Sequence, residues 1–132
     1  CATCHRDYSR NRYLLCQPKV KDLCLGCHGG IKEQMKAGKV HSPAEDCLTC
    51  HLPHYGANRA LTTQPVAELC GQCHDVKAAG FGKAHLGIDP KVVNCVSCHT
   101  PHASKDPKLF RAEVHPPFAG GSCDECHNVA KR

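Results

Sequence analysis

The stretch Cys47-Leu48-Thr49-Cys50-His51-Leu52-Pro53-His54 decides how this chain is read. Its first five residues, Cys-x-x-Cys-His, occur six times in 132 residues. The paired cysteines are Cys1 and Cys4, Cys24 and Cys27, Cys47 and Cys50, Cys70 and Cys73, Cys95 and Cys98, and Cys123 and Cys126. Of 13 cysteines only Cys16 stands outside the pattern. Each pair is followed at once by a histidine: His5, His28, His51, His74, His99 and His127. With 11 histidines in 132 residues, six hits in six by chance come to about one in three million.

This spacing is the attachment signature of c-type haem. Two cysteines three positions apart reach the porphyrin edge from one tight turn, and the next histidine falls under the iron as its proximal ligand. Zinc is the competing reading, because paired Cys-x-x-Cys units also build ribbons and knuckles. Those sites have no need of a histidine after every pair, and a disulfide framework has none either. The expected cofactor is therefore six haem c groups.

Composition agrees with a chain built around its cofactor. There are three Phe, three Tyr and no Trp in 132 residues. So short a chain is already marginal in buried surface, so the porphyrins are expected to form most of the core and the haem-free chain to be unfolded. The formal charge of +5 does not mark a nucleic-acid or membrane binder. Six pairs of propionates would bring the loaded protein to about −1 oxidised and about −7 reduced, and the basic residues are scattered. No run has the length of a membrane helix and no signal peptide is visible. Haem c is attached outside the cytoplasmic membrane, so a periplasmic or extracellular location is expected. Cys1 opens a complete motif, which favours haem over a lipid anchor and implies an upstream segment that is missing or cleaved.

Nine prolines and eleven glycines interrupt the chain about every dozen residues. The fold class expected is mostly irregular with short α-helices and little or no β, wrapped around a stack of haems. Helix is expected over Val66–His74, with Pro65 at its start, over Ile31–Ala37 closed by Gly38, and in a fragment at Val76–Ala79. The whole of 1–132 reads as a single domain with internal repeats of approximately 1–46, 47–94 and 95–132. Without gaps, Cys47–His74 aligns on Cys1–His28, placing Leu61 on Leu15, Thr62 on Cys16, Val66 on Val20 and Leu69 on Leu23.

Two motif types alternate. One follows an upstream histidine and is trailed by Pro-His, as in His41-Ser42-Pro43 ahead of Cys47 and Pro53-His54 behind it. The Cys95 unit has His85 ahead and Pro101-His102 behind; the Cys123 unit has His115-Pro116-Pro117 ahead. The other type, at Cys24 and Cys70, follows the apolar runs Val20–Leu23 and Val66–Leu69. The chain resembles the multihaem cytochromes built on a doubled Cys-x-x-Cys-His unit of the form His-x-Pro…Cys-x-x-Cys-His-x-Pro-His, over nearly its whole length. That resemblance implies electron transfer through closely packed haems, each with two histidine ligands. The first unit departs from it, with Tyr8 where His54 stands, and His85 lacks the proline two residues on.

Five histidines remain as candidate distal ligands: His41, His54, His85, His102 and His115. A trailing histidine cannot reach the far face of its own haem, so each is expected to serve a neighbour. Five serve six, and the departures at the first unit put the shortage at the N-terminal end. The missing ligand can come from a neighbouring chain, a lost upstream segment or Met35, or that iron stays open. Cys16 reads as a buried free thiol, with an intermolecular disulfide as the alternative. Tyr8, Tyr13 and Tyr55 read as haem-edge packing. Electron transfer is expected rather than catalysis, with redox proteins or an extracellular acceptor as partners. Self-association into a conductive filament, with a ligand given by the neighbouring chain, would join identical heterologous surfaces. The reading from another class is a multihaem reductase with one open iron, acting on a small oxyanion or nitrogen compound.

Overall fold

The computed structural model describes residues 1–113, 115 and 116. Among them are four helices, α1 (Val20–Leu25), α2 (Gly29–Ala37), α3 (Val66–Gly71) and α4 (Ala79–Ala84). Single 3-10 turns lie at Ser42–Glu45, Cys47–Thr49, Arg59–Leu61 and Cys95–Ser97. One two-stranded antiparallel ladder joins β1 (Lys39–Val40) to β2 (Ala103–Ser104), with Lys39 opposite Ser104 and Val40 opposite Ala103. The rest is irregular, as the density of prolines and glycines implies.

α2 and α3 sit close to where the sequence places them, with shifted ends, while α1 lies on an apolar run for which no helix is expected. α3 starts at Val66, after Pro65 at φ −52°, but closes at Gly71 rather than His74. α2 begins two residues earlier than Ile31 and stops before Gly38. Its half-buried Ile31 and Met35 lie one turn apart, and the helix packs against β2. The fragment expected at Val76–Ala79 is instead α4, beginning at Ala79 and carrying His85 as its C-cap.

The first, third and fifth motifs share one loop that the ungapped alignment misplaces by a residue. After each motif histidine the chain returns to an isolated antiparallel bridge: His5 with Leu15, His51 with Thr62, His99 with Phe110. The hydrogen bonds around each bridge repeat. Arg6, Leu52 and Thr100 N–H donate to the carbonyls of Leu14, Leu61 and Leu109, while Cys16, Thr63 and Arg111 N–H donate to those of Cys4, Cys50 and Cys98. Leu14, Leu61 and Leu109 all have left-handed φ, 54°, 56° and 61°, which costs a side-chain-bearing residue about 1–2 kcal/mol. Asn11, Asn58 and Asp106, three residues earlier, accept the leucine N–H on their carbonyls. Leu61 therefore corresponds to Leu14, not Leu15, and Cys16 to Thr63, not Thr62. The first loop is one residue shorter, and Lys19, inserted after Gln17-Pro18, restores register with Gln64-Pro65-Val66.

The polypeptide supplies almost no core of its own. Among the described residues Ala103, 1% exposed, is the buried apolar side chain and Thr62 the buried polar one. Tyr8 and Tyr55 are each 79% exposed, and Tyr13, Leu48, Leu52 and Leu86 are exposed as well. So much apolar surface left without polypeptide partners fits the expectation drawn from composition, that the chain folds around a large apolar cofactor.

Candidate haem-binding sites

In all five described motifs the histidine N–H donates to the carbonyl of the first cysteine, at 2.9 Å for His5, His28 and His99 and 3.0 Å for His51 and His74. Each motif is thus one helical turn. Positions i, i+3 and i+4 of such a turn share a face, so both sulfurs and the imidazole point the same way. The chemistry needs this: two thioethers at a porphyrin edge and a nitrogen beneath its centre. The second and fourth motifs gain the turn as the ends of α1 and α3, and the first cysteines of the third and fifth open the 3-10 turns at Cys47–Thr49 and Cys95–Ser97.

Four motif histidines face a second imidazole contributed from elsewhere in the chain. Ring centres are 5.9 Å apart for His5 and His54, 6.0 Å for His74 and His41, 6.1 Å for His51 and His102, and 6.3 Å for His99 and His85. The first three pairs are within 19–23° of parallel; the last is tilted by 52°. Two imidazoles binding one metal ion from opposite sides would have centres about 6.3 Å apart. The ring nitrogens are disposed to match. His5, His51 and His99 donate Nδ1–H to the carbonyls of Tyr13, Ala60 and Lys108, the residue before each left-handed leucine, at 2.8, 2.9 and 3.0 Å. His41 and His85 donate likewise to Pro101 and Phe81, at 3.0 and 2.9 Å. A carbonyl on Nδ1 fixes the tautomer and reserves Nε2, which is how metal-bound histidines are usually held. Burial, and then the nearby His51, His28 and His41, push the His102 pKa down, favouring the neutral form that a metal needs. These residues fit a haem iron.

The geometry departs from the sequence reading at the first unit. His54 lies opposite His5, so the N-terminal motif has a facing imidazole despite Tyr8. Among the described residues His28 is the motif histidine without one, and His115 is exposed and faces none. His127, Cys123 and Cys126 lie outside the described residues. The trailing histidines lie across from other units: His54 and His102 each face the motif histidine two places earlier. What the sequence reading missed is the shared loop. Asn11-Arg12-Tyr13-Leu14 and Asn58-Arg59-Ala60-Leu61 carried that signal, hidden by the one-residue slip.

The cysteines bring successive motifs together. α1 packs on the Cys47–Thr49 turn and α3 on the Cys95–Ser97 turn, so Cys24 meets Cys47 and Cys70 meets Cys95. Burial, with the partner thiol second, raises the Cys24 pKa and pushes Cys70 up to about 11. Burial and then Cys73 raise Cys50. All the described cysteines are free of disulfides. Cys16 is half-buried, its Sγ 3.9 Å from the Ala2 carbonyl. No cluster of three or more His, Cys, Asp or Glu able to hold a metal ion occurs among the described residues.

No helix of the described residues is long and apolar enough to cross a membrane. A search of characterised proteins gives no match to the chain. The family defined by the doubled CXXCH motif matches residues 1–33, 41–79 and 90–114, well over half the chain and five of its motifs. With attachment turns, paired imidazoles and family match in agreement, the chain belongs to the doubled CXXCH motif family: it is a multihaem c-type cytochrome carrying covalently bound haem c.

Proposed function

We propose that this cytochrome carries electrons over distance through a row of six haems, one on each motif, and that it is not an enzyme. The observation that carries the reading is the set of four imidazole pairs 5.9–6.3 Å apart. Haem iron cycling between its ferric and ferrous states supplies the redox chemistry; the chain supplies ligands, spacing and order. At the four paired sites, two imidazoles would hold each bound iron, leaving no place for substrate and keeping potentials low compared with His/Met ligation. The close approach of Cys24 to Cys47, of Cys50 to Cys73, and of Cys70 to Cys95 supports a row that follows chain order. Mass spectrometry of the purified protein, expected to find six attached haems, and electron paramagnetic resonance, expected to find bis-histidine low-spin centres, test this together. Fast cyanide or nitric oxide binding at a high-spin centre would instead support a reductase.

The setting lies outside the cytoplasm, in the periplasm or at the cell exterior, since haem c is attached there. Eleven histidines in these 132 residues are one fewer than two for each of six irons, and a second copy of the chain giving the twelfth would build a filament of the kind heterologous contacts allow. Dilution then releases the ligand: the high-spin fraction rises as the assembly dissociates. A high-spin fraction independent of concentration removes the filament reading and leaves electron transfer standing.

A further inference from the structure

The smallest element of the fold sits where two of the imidazole pairs cross. β1 ends at Val40, and His41 follows it; β2 begins at Ala103, and His102 precedes it. The two histidines are therefore tethered to opposite strands of one ladder. They are also bonded to each other's segment: His41 N–H donates to the His102 carbonyl at 2.9 Å, and His41 Nδ1 donates to the Pro101 carbonyl at 3.0 Å. Their imidazoles nevertheless diverge. His41, which lies between the second and third motifs, faces His74 of the fourth. His102, beyond the fifth motif, faces His51 of the third.

From this we infer that the β1–β2 ladder is a crossover where two parts of the chain exchange axial ligands, His41 to the haem on His74 and His102 to the haem on His51, with Gly38 as its positioning residue. The inference rests on the cytochrome reading above and adds to it a device that sets two ligands at once. Gly38 matters because of close approach. A Cβ there would lie 2.5 Å from both the carbonyl carbon and the oxygen of Ser104 and 3.0 Å from the Lys105 nitrogen, all of them backbone. Backbone cannot swing aside as a side-chain tip can, so any larger residue must part the strands. Parting them withdraws both histidines together. On the β2 side the Thr100 hydroxyl donates to the Ala103 carbonyl at 2.6 Å and accepts its N–H at 3.3 Å, so the His102 turn and β2 move as one piece.

The test uses the haem-loaded chain, with attached haems counted by mass and high-spin centres counted by electron paramagnetic resonance. Gly38→Ala is expected to turn two haems high-spin with the haem count unchanged. His41→Ala and His102→Ala are each expected to turn one, the double variant two, and Gly38→Ala added to the double variant none further. Gly30→Ala, where a Cβ meets nothing within 4 Å, is expected to turn none. In labelled wild-type protein the His41 ring should show nuclear Overhauser contacts to the haem held by Cys70 and Cys73, and the His102 ring to that held by Cys47 and Cys50. Gly38→Ala affecting one haem only, or Overhauser contacts to other haems, overturns the exchange. A wild-type chain with no attached haem overturns the cytochrome reading itself, a separate result. Should Gly38→Ala fail to mature, the histidine variants and the Overhauser contacts still decide.

Discussion

At the scale of the residue, a histidine in this chain is defined by what holds its Nδ1 and by which ring lies across from it. His54 is the clearest case. It trails the third motif by three residues yet lies 5.9 Å from His5 of the first. His54→Ala is therefore expected to convert one haem, the one on Cys1 and Cys4, from low-spin to high-spin while the other paired centres keep their spectra. Electron paramagnetic resonance of the loaded variant measures this, and loss at the third haem instead would refute the pairing. The motif histidines of the five described units were legible in the sequence, because covalent attachment fixes their spacing. The partner of each was not, since it depends on where loops of different length return the chain. Tyr8 leaves the first unit without a trailing histidine to give, but it says nothing of the imidazole that unit receives from His54 of the third.

Among the elements, α1 and α3 act as carriers of cysteines more than as core. α3 brings Cys70 to Cys95, and its first turn depends on Leu69 N–H donating to the Pro65 carbonyl at 2.9 Å. Leu69→Pro removes that bond and crowds the preceding turn, at a cost of about 3 kcal/mol. The variant is expected to mature with one haem fewer, at Cys70 and Cys73, as whole-protein and peptide masses would report. α2 and α3 were readable to within two or three residues at the ends; α4 shares only Ala79 with the fragment expected there, and α1 was missed although it grows from the same kind of apolar run as α3. The ladder was not, because two residues per strand give no alternation to detect. The repeated loop lay in between. Its Asn-Arg-x-Leu signal was present at Asn11 and Asn58, but the register slip placed leucines in different roles over one another. The left-handed leucines could not be foreseen at all, since nothing in a leucine favours that conformation; the bridge and the asparagine carbonyl impose it.

For the molecule as a whole, the scarcity of buried polypeptide and the crossing of ligands have the same effect among the described residues: three of the four facing pairs tie one unit to another. Chain lacking attached haem is expected to show little helical circular dichroism and no cooperative thermal transition, whereas the loaded protein shows both. A haem-free chain with native helicity would contradict this. One further consequence follows from the carbonyls on the imidazoles. Among the four facing pairs, three have a single ring donating Nδ1–H to backbone, but His85 and His99 both do so. Such a bond makes an imidazole more electron-rich, and an electron-rich ligand favours the oxidised metal. Of those four centres, the one on Cys95 and Cys98 should be the last to fill in a reductive titration. The wire would then carry a built-in dip in its voltage profile, imposed by two peptide oxygens.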